Sequence, residues 1–305
     1  MPTIIDGSAS ATFATPLPLG EGGTGSAVGA LSGPNGSAFA LRNALFNADF
    51  RINQRGYVSA ATLAAGAYGH DRFKAGASGG DYSFTQLNSS TQVTIASGKS
   101  LIQVVEDKNV VGGSYVLSWT GTALARVGVN SATPSGTFVV SPLLITGQTA
   151  GTTMSVEFNA GTLNTAQLEL GTVATPFERR PVGLELALCQ RYFVKLGPSG
   201  AFADFCMLNW FSNIRAIGSF TVPVPMRISP VISFSGAVNL WFGENPQGQP
   251  TGTFLANGVG TPSGGYSLIG VDCVLSSAGA AVSGSCGQLK ASNDANAFIA
   301  LTAEL

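Results

Sequence analysis

Charge is what this chain has least of. Only 10% of its 305 residues are Asp, Glu, Lys or Arg, against roughly 25% in an average globular chain. The net charge is −1, and among the fifteen Lys and Arg only Arg179 and Arg180 are adjacent. No basic stripe is present, so nucleic acid and anionic lipid are not expected partners. Histidine is down to one, His70, beside Asp71. The four cysteines, Cys189, Cys206, Cys273 and Cys286, form no CxxC pair and have no companion histidines, which argues against zinc. Buried thiols are the simpler reading. A Cys273–Cys286 hairpin disulfide stays open, and would need an oxidising step outside the cell. No run of about 20 apolar residues exists to span a membrane. The start, MPTIIDG, lacks the basic and long apolar regions of an export signal, so synthesis and folding in a cytoplasm are expected.

Chemistry is equally sparse. There is no GxSxG elbow, Walker A, HExxH or EF-hand pattern. A triad through His70 would need a serine that the sequence does not point to; His70 reads instead as a turn residue packed beside Tyr68 and Phe73. Acid pairs such as Glu157 with Glu169, or Asp204 with Asp272, carry no spacing that singles them out. Asp49, Asp71 or Glu169 could hold calcium, although solvated or capping carboxylates are the simpler reading. The expectation is therefore a protein that is not an enzyme, with no cofactor and no metal.

What fills the space left by charge is forty glycines with abundant Ser, Thr, Ala and Asn, a profile of turn-rich β structure. Residues 1–42 have few large apolar side chains to offset their ordering entropy and read as an extended arm. Residues 43–182 read as a β-sandwich. Short alternating segments at 81–86, 91–96, 101–106, 114–120, 123–130, 137–145, 152–159 and 164–170 recur at sandwich spacing. About eight such strands suit a jelly roll. Tyr115, Leu117 and Trp119 share one face, with Trp119 in the core. Pro176 and Pro181 close this domain, with Arg179 and Arg180 in an exposed turn between them. Residues 183–195 form a linking helix: Leu184, Leu188 and Arg191 share one face and Leu186, Cys189 and Phe193 another, so it should be buried between partners. Residues 196–305 read as a distal β domain with strands near 214–224, 231–235, 240–243, 266–275 and 297–303. The whole is mostly β: arm, jelly-roll sandwich, short helix, C-terminal sandwich.

With little charge, recognition falls to aromatic rings and neutral hydrogen-bonding groups, which suits sugars. In the distal domain Trp210, Trp241, Phe242, Phe254 and Tyr266 are each either core or platform. Between Arg227 and Lys290 only Glu244 and Asp272 are charged, and 244–265 is a long polar loop. Residues 239–266 therefore carry the expected glycan contact: Trp241 first, with Phe242, Tyr266, Asn239, Asn245 and Gln247, and with Gln249 and Asn257 as further neutral groups.

One resemblance organises these pieces. Gln167–Phe193, QLELGTVATPFERRPVGLELALCQRYF, resembles the hinge of bacteriophage tail-fibre and receptor-binding proteins, where a jelly roll closes and a short helix leads to a distal domain. Leu17–Gly25 (LPLGEGGTG) resembles the glycine turn at the root of such fibres. Asn47–Gly56 (NADFRINQRG), Tyr68–Phe73 (YGHDRF), Gly112–Trp119 (GGSYVLSW) and Val156–Gly161 (VEFNAG) resemble the jelly roll of that group. Ser219–Pro230 (SFTVPVPMRISP) and Thr302–Leu305 (TAEL) resemble its distal domain, whereas 231–290 resembles no motif of the group. The resemblance implies a virion protein, a tail fibre or spike, assembled as a homotrimer. It implies attachment to other tail or capsid proteins through the arm, with Leu17, Gly20, Gly22, Gly23 and Gly25 at the attachment, and adsorption to a bacterial surface polysaccharide. A purely structural virion adaptor or decoration protein is the alternative, and an enzyme that trims host polysaccharide a distant third.

Overall fold

A computed structural model describes residues 41–197, 200–242, 245–248, 259–260, 266–275 and 281–305. The attachment residues Leu17, Gly20, Gly22, Gly23 and Gly25 lie outside them, as does most of the 244–265 loop. Among the described residues no helix is long and apolar enough to cross a membrane.

The first domain holds β1 (Lys74–Ala75), β2 (Tyr82–Gln86), β3 (Thr91–Ile95), β4 (Leu101–Val105), β5 (Gly113–Gly121), β6 (Ala125–Gly128), β7 (Ser135–Val139), β8 (Leu143–Gln148), β9 (Met154–Phe158) and β10 (Gly161–Leu170). They form two antiparallel sheets, ordered β1-β4-β9-β6-β7 and β2-β3-β10-β5-β8. Without the edge strands β1 and β2, eight strands remain that cross repeatedly between the sheets, as a jelly roll requires. Period-two alternation drives the closure: Tyr115, Leu117 and Trp119 of β5 meet Met154, Val156 and Phe158 of β9 in one core. The Trp119 indole donates to the Ala123 carbonyl at 2.7 Å. The single strand expected over 137–145 is two. Ser141–Pro142 interrupts it, because proline has no N–H for a ladder, and the halves join opposite sheets.

Helix α1 (Val182–Gln190) is shorter than the expected 183–195, since Phe193–Leu196 is already β11 and pairs with the last strand of the chain. Its buried side chains are Glu185 and Cys189; Val182 and Leu184 are exposed. The apolar-surrounded helix therefore turns its acid inward and leaves leucine outside. Glu185 is drawn in because it accepts the Asn47 backbone N–H at 2.5 Å and lies 3.5 Å from Arg180. Arg180 is correspondingly not in an exposed turn. Its guanidinium is buried on the carbonyls of Asn43 and Leu45, whose hydrogen-bonding needs it meets.

The distal domain comprises β11, β12 (Asp204–Ser212), β13 (Arg215–Met226), β14 (Val231–Ser235), β15 (Val238–Phe242), β16 (Asn245–Gly248), β17 (Val259–Gly260), β18 (Tyr266–Val274), β19 (Cys286–Ala291) and β20 (Phe298–Thr302). A three-stranded sheet, β11-β20-β14, and a seven-stranded sheet, β16-β15-β19-β12-β13-β18-β17, share a second core around Trp210, Leu240, Ile269 and Leu301. β18 and β19 are three strands apart in the seven-stranded sheet. Cys273 is buried and Cys286 exposed, and both are free thiols, so the hairpin disulfide is ruled out by topology.

The two cores meet at a seam of buried charge. Arg72 pairs with Glu304, donates to the Val104 carbonyl at 2.7 Å and lies 3.6 Å over the Tyr192 ring. Arg55 reaches Glu304 at 3.2 Å and covers Phe193 at 3.6 Å. Glu106 accepts from Arg191 at 2.9 Å and from the Tyr192 hydroxyl at 2.7 Å. The Tyr68 hydroxyl and Lys74 ammonium donate to the Leu305 carbonyl at 2.7 and 3.0 Å. Five segments far apart in sequence, within 47–56, 68–74, 104–106, 190–193 and 302–305, thus meet in one place.

Candidate functional site

On β15 the side chains alternate: Val238 and Leu240 enter the distal core, while Asn239 and Trp241 lie on the opposite face of the seven-stranded sheet. Their cross-strand partners on β19 are Lys290 and Gln288. Trp241 is only 9% exposed, because Phe202 meets it edge-on at 6.2 Å and Lys290 Nζ sits 5.2 Å from its ring centre. Lys290 in turn lies 3.8 Å from Asp204, and Gln288 donates to Asp204 at 3.4 Å. The Trp241 Nε1 and the Asn239 Oδ1 are buried without a hydrogen-bond partner, and leaving a buried polar atom unpaired is costly.

Of the expected glycan residues, the structure brings Asn239 and Trp241 together. Phe242 goes elsewhere, packing against the distal core. Gln247 is half-buried on β16. The side chains of Asn245 and Tyr266 lie outside the described residues, as do Gln249, Phe254 and Asn257. The backbone of Tyr266 starts β18, four strand steps from β15, a separation of about 19 Å at ordinary strand spacing. A single sugar cannot touch Trp241 and Tyr266 at that distance. Trp210 is fully buried in the core. Phe202, Asp204, Gln288 and Lys290, which do surround Trp241, were not singled out by the sequence. The burial of Cys206, Leu208 and Trp210 at alternate positions of β12 was a legible signal that the positions between them face outward. Beyond this cluster the same face exposes Met207 (60%), Phe211 (62%) and Ile217.

No family model matches the chain, and no curated protein matches it in sequence.

A second surface lies where the chain enters the jelly roll. A groove of about 410 Å³ is lined by Leu41, Phe46, Val111, Tyr115, Leu170 and Leu188, with Arg180 at its side. Leu41, Val111 and Leu170 are exposed, as is Leu184 one turn before Leu188 on α1. Isolated exposed leucines need no explanation, whereas grouped ones mark contact surfaces.

The buried carboxyl and imidazole groups with shifted pKa sit in the seam and the jelly-roll core; in the distal domain the hydrogen bond to Asp272 holds Arg215 above its ordinary value, and the Ala237 and Asn296 N–H groups hold Asp294 below its own. Burial lifts Asp71 to about 6, against hydrogen bonds from Gln54 and the charge of Arg55. Burial lowers His70 to about 4. His70 is in a turn as expected, its carbonyl accepting the Phe73 N–H at 3.1 Å, while its ring packs against Phe50, Tyr82 and Phe84 and its Nδ1 is 2.6 Å from the Tyr82 hydroxyl. Burial would also raise Glu106, but the hydrogen bonds from Arg191 and Tyr192 outweigh it and hold the carboxyl low. His70 and Asp71 thus face different partners and form no relay. Asp49 lies beside the guanidiniums of Arg51 and Arg179, Asp71 is bound by Gln54, and Glu169 by Gln167 and Thr175. No group of three metal-ligating side chains occurs among the described residues.

Proposed function

We propose that this chain is a subunit of a virion tail fibre or spike. It assembles as a homotrimer, attaches through residues 1–42 to other virion proteins, and binds a glycan on a bacterial surface through its distal domain. The observation that carries the reading is the seam. Four of the segments that resemble receptor-binding proteins of phages, those holding Arg55, Tyr68 with Arg72, Arg191 and Glu304 with Leu305, are dispersed in sequence yet converge on one buried charge network. Such a seam holds a distal domain rigidly on a jelly roll, as a fibre tip under load requires. The trimer is supported by the apolar groove and the outward Leu184 of α1, which a sister chain would cover.

Light scattering on the purified chain should give three times 31.0 kDa; a stable, soluble monomer at micromolar concentration would sink the assembly. Purified trimer should compete with whole particles for adsorption, and Trp241→Ala should abolish competition beyond what its loss of stability accounts for; unfolding is measured in parallel, because truncating a tryptophan only 9% exposed costs about 3–5 kcal/mol. Catalysis is no part of this reading: host polysaccharide should yield no new reducing ends, and ends that vanish on changing one Asp or Glu would overturn it.

The adaptor reading is favoured by one observation. Met207, Phe211 and Ile217 form an exposed apolar face that a neighbouring virion protein could cover. Unchanged adsorption by the Trp241→Ala particle would hand the distal face to that role.

A further inference from the structure

The outward face of the β1-β4-β9-β6-β7 sheet carries a cleft of about 300 Å³ that none of the roles above uses. It gathers Lys99, Arg126 and Glu157, a concentration of charge in a chain that has little. Glu157 forms its floor. β9 sends Met154, Val156 and Phe158 into the core, so Glu157 projects to the other side, where it is nonetheless almost wholly covered. Ser100 Oγ donates to its Oε1 at 2.6 Å and Arg126 Nε to its Oε2 at 2.7 Å. Gly76 lies so close to Ser100 and Glu157 that any side chain there would collide with them. The glycine thus leaves room for the Ser100–Glu157 hydrogen bond.

The walls supply the rest. The Arg126 guanidinium lies 4.6 Å from the Phe138 ring centre. Its Nε and Nη1 are engaged by Glu157 and the Gly136 carbonyl, while Nη2 has no hydrogen-bond partner among the described residues. Lys99 donates to the Ser78 carbonyl at 2.9 Å and lies 3.6 Å from Asp81, still partly exposed. Asn159 and Ala160 complete the lining. Two cations offer spare N–H donors, a carboxylate with two further lone-pair positions offers acceptors, and an aromatic ring offers a flat apolar wall.

We propose that this cleft binds one acidic sugar residue, a pyranose bearing a carboxylate. Arg126 and Lys99 hold the sugar carboxylate, Glu157 and Asn159 take ring hydroxyls, and Phe138 packs against the C–H edge. The mixed charge decides the class. A neutral sugar would leave the spare N–H donors of Arg126 and Lys99 without a charged acceptor; with Asp81 and Glu157 already offsetting the two cations, a singly charged carboxylate is repelled less than a doubly charged phosphate. Hydrolysis is disfavoured by composition, since glycoside cleavage uses two carboxyl groups and Glu157 is the single one lining the cleft. The site stands apart from the distal face, so each can fail without the other.

The test uses the full chain and two probes, methyl β-D-glucuronide and methyl β-D-glucoside, read by saturation-transfer NMR and titration calorimetry. The glucuronide should bind, and the glucoside should bind at least about tenfold more weakly, the cost of one charge-assisted hydrogen bond. Lys99→Gln and Phe138→Ala change partly exposed side chains and leave the Arg126–Glu157 pair intact, and each should weaken the glucuronide by about the same factor. Trp241→Ala should have no effect on it. Absence of transfer to the glucuronide, equal binding of both sugars, or unchanged affinity in both Lys99→Gln and Phe138→Ala would overturn the assignment. Arg126→Gln is the stronger perturbation, but it strands Glu157, so the two milder variants decide the matter.

Discussion

Replacing Arg72 by methionine should weaken the fold by about 3 kcal/mol. The side chain is almost fully buried, and it serves Glu304, the Val104 carbonyl and the Tyr192 ring together. Breaking a buried ion pair by removing one partner costs about 3–5 kcal/mol, because the other charge is left in a poor solvent. The lower end applies, since Arg55 remains 3.2 Å from Glu304 and takes up part of its charge. Backbone strain does not enter the difference. Arg72 has φ +71°, in the left-handed region, and methionine meets the same penalty there. The assay is urea unfolding followed by tryptophan fluorescence, with Trp119 in the jelly-roll core and Trp210 in the distal core as reporters. Glu304→Gln should also destabilise, and the double variant should lose at least about 1 kcal/mol less than the sum, as coupled neighbours do. A loss under about 1 kcal/mol, with the two changes strictly additive, would refute the seam as the element joining the domains.

Two further outcomes follow from the buried titrating groups. Asp71, lifted from 3.8 to about 6, ionises first in the unfolded chain, so it lowers stability as pH rises from about 4 to 6; the limiting slope is about 1.4 kcal/mol per pH unit. His70, lowered from 6.5 to about 4, is protonated first in the unfolded chain, so its contribution is lost as pH falls from 6.5 to 4. The opposing slopes offset one another, and Asp71→Asn should expose stability that rises with pH across this window, whereas His70→Phe should expose stability that falls. Unfolding midpoints measured from pH 4 to 7 check this, and a flat profile in both variants counts against it. For the thiols, native protein should react with one equivalent of a disulfide reagent, at exposed Cys286. Cys189, Cys206 and Cys273 are buried, with thiols pushed up by burial, that of Cys206 to about 12. Rapid labelling of a second cysteine would contradict the packing.

The sequence by itself determined the β character, the two-part order and much of the jelly-roll strand set. Alternation along segments such as Ser114–Thr120 is a local pattern, and which face of a strand is buried follows from period two. Strand ends were legible where Gly or Asn punctuates the chain, and misjudged where a proline splits an apparently continuous run, as at Pro142. β12 and β19 were both missed, but only β19 hides its pattern. β12 alternates plainly, whereas β19 buries Gly287, Leu289 and Ala291, and small residues hide a core face.

Only the tertiary structure decided the rest. That Glu185 and Arg180 turn inward cannot be read from an apolar helix and a proline-flanked turn, because their partners are backbone groups of residues 43–47, more than 130 positions away. Trp241 was legible as an aromatic among neutral residues, but the cover of Phe202 and Lys290, and the distance of Tyr266, depend on which strands pair. The cleft over Glu157 is the same case. Ser100, Arg126, Phe138 and Glu157 lie on or beside four strands whose adjacency is set by the crossing of chain between two sheets. Local pattern specifies the faces of each strand; the order in which strands pair specifies which side chains become neighbours, and sites are made of neighbours.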